Sequence, residues 1–146
     1  MTHQTTEVAP VTKTVTVKRP PEEAFRIYTE RIATWWPLDT HSRSGRRAET
    51  LVMEPRAGGR LYERTRDGEE LEWGEVLVWE PPQRVVHSWH LGKPTATEVE
   101  LRFVPEVDGT RVELEHRGWE RAPEKRGSYD AGWELVLGRY VEAASA

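Results

Sequence analysis

Residues 48–118 consist of short apolar segments separated at regular intervals by turn signals, and this feature limits the fold more than any other. The turn signals are "PRAGG", "RDGE", "EPPQ", "LGKP" and "VDGT". Each combines glycine or proline with polar residues, which favour turns because they supply fixed or unusual backbone angles. Segments of this length and spacing predict one antiparallel meander of six strands.

A strand and a helical segment precede the meander. "VTKTVTVK" at 11–18 alternates valine with polar residues and therefore predicts a strand. Pro20 and Pro21 predict the start of a helix, because proline is tolerated in the first helical turn. The apolar stripe of this helix continues to a pair of tryptophans, and Pro37 ends it.

A longer helical segment, at 128–146, follows the meander and has the period of an amphipathic helix. The complete order is a strand, helices, six strands and a helix, which is typical of the α+β class. We expect one domain at 10–146 and an unordered tail at 1–9, where the sequence is polar and aperiodic. The apolar face of the last helix contains Tyr129, Trp133, Val136, Leu137 and Tyr140.

The "VDGT" turn predicts a hairpin with Asp108 and Gly109 as its two-residue loop. This register pairs Leu101 with His116 on one face, and Phe103 lies on that face as well. The opposite face carries three pairs of opposite charge: Glu106 with Arg111, Arg102 with Glu115, and Glu100 with Arg117. The charged face is predicted to meet solvent, so the face with His116 is predicted to meet the core.

The "RDGE" turn predicts a second hairpin, in which Tyr62 lies opposite Trp73 on the outer face. The inner face then carries Leu61, Glu63, Glu72, Gly74 and Val76. We favour a solvated rim position for the two carboxylates, and an acid–base pair with one raised pKa is the alternative. A glycine inside a strand indicates close approach of another group, here either a ligand or a packed tryptophan.

The seven tryptophans and two inward-facing histidines are the remaining candidates for a site. Trp89 and Trp133 are predicted to lie between the sheet and the last helix, and Trp73 and Trp79 on the outer face or an edge. One residue of the pair Trp35 and Trp36 is expected to plug the core. The other, Trp36, is expected to form a pocket entrance, where truncation would cost less stability.

His87 and His116 are predicted to face inward on strands that are separated by a third. Strands lie roughly 4.7–4.9 Å apart, so two such backbones are about 10 Å apart, which disfavours joint ligation of a metal ion. Each histidine is expected to be a hydrogen-bonded core residue, with a hydrogen bond to a bound ligand as the alternative.

Composition excludes several classes of function. The net charge of −4 argues against a nucleic-acid partner. The absence of cysteine excludes disulfides, thiol catalysis and cysteine-ligated zinc. No apolar run reaches membrane length and the first residues lack a signal-peptide core, so we expect a cytoplasmic protein without membrane insertion. Nothing in the sequence indicates a cofactor.

The chain resembles the SRPBCC, or START-like, superfamily and within it the bacterial Aha-type proteins, named after the activator of a heat-shock chaperone ATPase. The resemblance covers about residues 11–141. It rests on "PPEEAFRIYTERIATWWPLDTHS", "AGGRLYERTRDGEELEWGEVLVWEPPQRVVHSW", "ATEVELRFVPEVDGTRVELEHRGWE" and "GW" at 132–133. It implies a helix-grip fold, in which a curved antiparallel sheet wraps around a long C-terminal helix, with two short helices after the first strand and a pocket between sheet and helix.

That pocket gives three functional hypotheses. The first is binding of a small hydrophobic molecule. The second is an enzyme of the cyclase or dehydratase type that uses histidine or glutamate chemistry in the same pocket. The third is a chaperone-ATPase activator with a role in stress response, which would dock through Tyr62 and Trp73 and which we rank last.

A homodimer is left open, because aromatic residues are expected on the outer face. The residues expected to line the pocket are Trp36, Leu61, Glu63, Gly74, Val76, His87, Trp89, Leu101, Phe103, His116, Trp133 and Leu137.

Overall fold

The computed structural model describes residues 8–93 and 96–145. A curled antiparallel sheet with the strand order β1-β7-β6-β5-β4-β3-β2 wraps around a long C-terminal helix. The prediction of an unordered tail at 1–9 falls largely on residues 1–7, which lie outside the described residues. The elements are β1 (Val11–Val17), α1 (Pro21–Tyr28), β2 (Ala48–Met53), β3 (Arg60–Thr65), β4 (Glu70–Glu80), β5 (Arg84–Trp89), β6 (Thr97–Glu106), β7 (Gly109–Arg117) and α2 (Arg126–Ser145).

The helix-grip class predicted from the sequence is therefore confirmed. Of the two short helices expected after β1, the first is α1 and the second is a single 3-10 turn at Ile32–Thr34. α1 begins at Pro21, as predicted, but ends at Tyr28, before the end of the apolar stripe. The Arg31 amide bonds to the Arg26 carbonyl five residues back, so the turn widens where the chain leaves the helix.

The β6–β7 hairpin has the predicted faces but not the predicted register. Leu101 pairs with Leu114 rather than with His116, and the two-residue loop is Val107–Asp108. Gly109 is not in the loop but is the first residue of β7, where it pairs with Glu106. A Cβ on Gly109 would lie 2.1 Å from the Val17 carbonyl oxygen, so this glycine serves the contact with β1. Because the register differs by two residues, each side chain keeps its predicted face.

The charge ladder on the outer face forms in part. Arg111 and Glu106 lie 2.6 Å apart, and Arg117 and Glu100 lie 2.7 Å apart, as the predicted pairs require. Arg102 bonds to Glu100 instead of Glu115. Burial would raise the pKa of Glu100, but hydrogen bonds from three arginines outweigh it and lower the pKa to about 2.

A β-bulge in the β3–β4 hairpin changes the inward face of the sheet. Leu61 pairs with Gly74 as predicted, but the register shifts immediately afterwards, and Glu63 faces Leu71. The bulge turns Trp73 inward, where it is 1% exposed. The prediction that Trp73 lies on the outer face was therefore wrong.

The core lies between the concave face of the sheet and α2. Five residues expected to line a pocket are fully buried in this core: Leu61, Val76, Leu101, Phe103 and Leu137. Trp79, expected on the outer face or an edge, is half-buried and packs against the core, with its ring 5.0 Å from that of Phe25. All five residues of the predicted α2 face contribute to the core, with Tyr129 partly exposed at its edge.

Candidate functional site

An apolar cavity of about 230 Å³ lies between the sheet and the first half of α2. Three parts of the chain enclose it: the loop after α1, the ends of β4 and β5, and one face of α2. Its lining residues are Trp36, His41, Ser42, Trp73, Trp89, Leu91, Tyr129, Gly132, Trp133 and Val136. An apolar cavity of roughly 150 Å³ can hold benzene, so this one has room for a somewhat larger aromatic molecule.

Four tryptophans form most of the wall and contact one another. Trp36 lies 5.3 Å from Trp73 and 5.8 Å from Trp133, in both cases edge to face. Trp89 completes the cluster, with its ring 5.4 Å from that of Trp73. Edge-to-face contacts of this kind stabilise aromatic pairs beyond the area that they bury. We call these four residues the tryptophan wall.

Each indole N–H of the tryptophan wall has an acceptor. Trp36 donates to the His41 carbonyl oxygen, at 2.7 Å, and Trp89 donates to the Tyr129 hydroxyl, at 3.0 Å. Trp73 and Trp133 donate to buried side chains on the sheet. The polar edge of every ring is thus occupied, which fixes its orientation and leaves apolar ring surface toward the cavity.

Glu63 is the acceptor for Trp73 and is fully buried, so the expected rim position was wrong. Its carboxylate accepts from Trp73 Nε1 at 2.6 Å and from the backbone amides of Arg43 and Ser44 at 2.7 and 2.9 Å. The Ser44 hydroxyl donates as well. Burial would raise the pKa of Glu63, but these four donors outweigh it and hold the pKa below its usual range.

Glu63 therefore positions the cavity wall. It connects the loop after α1 to Trp73, and each of its two carboxylate oxygens already accepts two hydrogen bonds from the protein. Glu72, its expected partner in an acid–base pair, is exposed and pairs with His90 instead. The acid–base pair between Glu63 and Glu72 is thus excluded by the register.

His116 is the acceptor for Trp133, and both of its ring nitrogens are bonded. Trp133 Nε1 can only donate, so His116 Nδ1 accepts this bond, at 3.0 Å. Nε2 then carries the proton and donates to the Thr97 hydroxyl at 2.7 Å, which in turn donates to the Trp89 carbonyl oxygen. Burial, with a smaller effect of nearby His87, lowers the pKa of His116 to about 3.

His87 is buried like His116 but is bonded at one nitrogen only. Its Nδ1 lies 3.2 Å from the Ser88 carbonyl oxygen, and its Nε2 has no partner. A carbonyl accepts only, so Nδ1 carries the proton and Nε2 presents a free lone pair. Burial lowers the pKa of His87 to about 4, which keeps the ring neutral at pH 7.

Trp35 and Trp36 divide between core and cavity, but they are buried equally. Trp35 packs against Tyr28 and Tyr140 and donates to the Ile27 carbonyl oxygen. Trp36 lines the cavity. Their exposures are 6% and 7%, so the structure gives no basis for the expected difference in stability on truncation.

Gly74 is explained by the sheet itself. A Cβ at this position would lie 1.9 Å from the Ser88 carbonyl oxygen on the neighbouring strand. The close approach is thus made by backbone, and neither of the two groups expected there, a ligand or a tryptophan, is needed.

The matched family is described as "Activator of Hsp90 ATPase homolog 1-like protein", and the match spans residues 18–144. The chain belongs to this family. The match confirms the Aha-type resemblance of the sequence. No curated protein matches the chain.

Solved structures with a similar fold include the following three proteins. An anthrahydroquino-gamma-pyrone synthase, Txn09, complexed with SUM, is 33% identical over 93% of this chain and 97% of its own, with a TM-score of 0.61. CalU16 from Micromonospora echinospora is 26% identical over 89% and 70%, with a TM-score of 0.66. The Aha1 dimer from Colwellia psychrerythraea is 15% identical over 94% and 97%, with a TM-score of 0.73.

Three of the twelve residues expected to line the pocket do line the cavity of this family member: Trp36, Trp89 and Trp133. Two more of the twelve, Glu63 and His116, accept the indole hydrogen bonds of Trp73 and Trp133 in the cavity wall. Sequence reasoning missed the α2 residues Tyr129, Gly132 and Val136 as cavity lining, although their spacing places them on one helical face with Trp133. The loop residues His41 and Ser42 carry no comparable signal.

The described residues contain no group of three or more histidine, aspartate or glutamate side chains arranged to hold a metal ion. Over the same residues, no helix combines the length and apolar character needed to cross a membrane.

Proposed function

We propose that this protein binds a small, largely apolar aromatic molecule in the cavity between the sheet and α2. The observation that supports this proposal is the tryptophan wall, whose ring edges are all bonded to protein acceptors while the cavity remains open. Binding pockets for small molecules are mostly apolar with a few polar groups, and pre-formed walls lower the cost of binding.

Gly132 allows a direct test, because it lines the cavity and has open space beside it. A Cβ at Gly132 would meet nothing within 4 Å, and the same is true of Gly138, six residues further along α2 and outside the cavity lining. Gly132→Leu would therefore place a large side chain at the cavity wall with no obstruction at its Cβ, and Gly138→Leu is a matched control with the same change on the same helix.

The measurement is calorimetric titration with 2-methylnaphthalene. We expect wild type and Gly138→Leu to bind with equal affinity and Gly132→Leu to bind at least tenfold more weakly. Equal binding by all three proteins would place the probe elsewhere and contradict the proposal. Native mass spectrometry of protein purified from its own host, followed by denaturing extraction, would then identify the natural ligand.

A cyclase-type enzyme acting in the same cavity is the second candidate. It is supported by the synthase Txn09, which is similar over nearly its whole length. The test is incubation with an aromatic polyketide that carries a hydroxyl group and a ketone able to close a ring. Ring closure that Gly132→Leu abolishes and Gly138→Leu retains would favour this candidate, and absence of product would favour binding alone.

The activator role in the family's description is a third candidate with weaker support. Its expected docking residues are not available: Trp73 is in the cavity wall, and Tyr62 is 7% exposed beneath the Arg60 guanidinium, 4.1 Å from its ring. A homodimer and a cytoplasmic location also stay predictions. Sedimentation velocity would test the first and cell fractionation the second.

A further inference from the structure

His87 stands apart from the other polar groups on the concave face. Glu63 accepts four hydrogen bonds and His116 is bonded at both nitrogens, so neither has capacity left for a ligand. Among the described side chains, only His87 Nε2 and the Tyr28 hydroxyl are buried without a hydrogen-bond partner. A buried acceptor without a partner costs stability, so its presence needs a reason.

The position of His87 relates it to the cavity. It lies on β5 two residues before Trp89, and residues two apart on a strand share a face. The rings of His87 and Trp89 are 6.0 Å apart. Because Nδ1 bonds to the backbone at Ser88, the distal Nε2 points away from its own strand. Trp89 is thus the cavity-lining residue whose ring contacts that of His87.

A ligand in the cavity reaches His87 only if the Trp89 indole moves. Its one side-chain hydrogen bond goes to Tyr129, which is partly exposed at the edge of the core. A net hydrogen bond of this type contributes roughly 0.5–1.5 kcal/mol. The indole also has ring contacts with Trp36, Trp73 and Trp133, which an incoming aromatic ring would have to replace. A shift of the indole would extend the cavity along β5 toward His87.

We propose that His87 Nε2 is the polar anchor of the ligand, accepting a hydrogen bond from a hydroxyl or N–H group on an aromatic molecule that occupies the cavity and displaces Trp89. The ligand class is therefore a phenol or a similar aromatic donor rather than a pure hydrocarbon. This inference rests on the proposed binding function and adds the chemistry of its ligand. The neutral state of His87 at pH 7 leaves its lone pair available for this bond.

A matched pair of probes tests the anchor. 2-Naphthol and 2-methylnaphthalene have nearly the same size and differ in a single hydroxyl group. We expect wild type to prefer 2-naphthol about tenfold, the effect of one net hydrogen bond. In His87→Leu the preference should vanish or reverse in favour of 2-methylnaphthalene, because the buried hydroxyl of 2-naphthol then has no acceptor.

His90→Leu is the control, since His90 lies on the opposite side of the same chain segment, half-buried, and pairs with Glu72. It should keep the preference for 2-naphthol. An unchanged preference in His87→Leu would overturn the proposal. If wild type binds both probes equally, the anchor is wrong but the binding function stands, and if it binds neither probe, both fail.

A second measurement uses wild type only and does not depend on how a variant folds. The ¹⁵N resonance of His87 Nε2 should move on addition of 2-naphthol and stay in place on addition of 2-methylnaphthalene. If both probes leave it unchanged while 2-naphthol is preferred, the donor bonds elsewhere, or a water molecule keeps Nε2 occupied, and the proposal fails.

Discussion

Two aromatic clusters lie between the concave face of the sheet and the helices, and they are held in different ways. Near α1, Phe25, Tyr28, Trp35, Phe103 and Tyr140 pack together, and the polar atoms of Trp35 and Tyr140 donate to backbone carbonyl groups of α1. In the tryptophan wall, three of the four indole groups donate instead to side chains: Glu63, Tyr129 and His116.

The difference separates core from site. The cluster near α1 is held by ring packing and by backbone that is already fixed in a helix. The tryptophan wall surrounds a cavity and needs buried polar side chains to keep its rings in place. Substitutions of the buried polar residues are thus expected to change the cavity. Substitutions of aromatic rings are expected to change both clusters.

Truncation of the paired tryptophans gives the largest expected effect. We expect Trp35→Ala and Trp36→Ala each to lower the free energy of unfolding by about 3–5 kcal/mol, because both rings are buried. Only Trp36→Ala should alter the affinity for 2-methylnaphthalene beyond what unfolding explains. Urea denaturation and calorimetric titration measure the two effects. A much smaller loss in Trp36→Ala would show that its ring contributes little to the fold.

The two buried histidines predict a specific dependence of stability on pH. Their folded pKa values, about 4 for His87 and about 3 for His116, lie below the ordinary value, so only the unfolded state gains protons as the pH falls below about 6.5. Stability is therefore complete above that pH and declines below it, by about 1.4 kcal/mol per pH unit for each histidine.

Between pH 6 and 5 the two buried histidines together give a slope of unfolding free energy against pH. His87→Leu should remove one of the two contributions and so halve that slope, whereas His90→Leu should leave it unchanged. Urea denaturation at closely spaced pH values measures the slope. A slope that His87→Leu does not reduce would mean that His87 is protonated alike in the folded and unfolded states.

Glu63→Gln tests whether the tryptophan wall depends on its carboxylate. The substituted amide presents a donor where four donors converge, so we expect a loss of about 1–3 kcal/mol in unfolding free energy at pH 7. Glu72→Gln, on the same hairpin but exposed, should change it by less than about 0.5 kcal/mol. Equal effects of the two substitutions would mean that the contacts of Glu63 contribute nothing to the free energy of unfolding.

The loss should also depend on pH in a known direction. The folded pKa of Glu63 is lowered, so its contribution is present above the ordinary pKa of a glutamate and is lost as the pH falls through the lowered value. The difference between wild type and Glu63→Gln should therefore shrink in acid, which the same denaturation series would detect.

The glycines of α2 give the smallest effect and examine the cavity from the helix side. Gly138→Leu should raise the free energy of unfolding by about 0.5–1 kcal/mol, since glycine is a poor helix former. Gly132→Leu should gain a similar amount, because its Cβ would meet nothing within 4 Å. Thermal denaturation compares the two. A loss in Gly132→Leu alone would indicate that the cavity is closed in solution.

The sequence by itself determined the order of the elements and the face of most side chains. Both depend on local properties: alternation along a strand, the 3.6-residue period of α2, and the prolines at which α1 begins. The predicted faces of Leu101, Phe103 and His116 were correct although their register was shifted, because a shift of two residues preserves alternation.

Only the tertiary structure decided which residues form the site. The bulge that turns Trp73 inward and the loop amides that bond to Glu63 join parts of the chain that are distant in sequence, and no local pattern specifies their distance. A cavity is space that several elements leave unfilled when they pack together, so it depends on all their positions at once. For this reason twelve inward-facing residues could be predicted, but not which three of them meet the cavity.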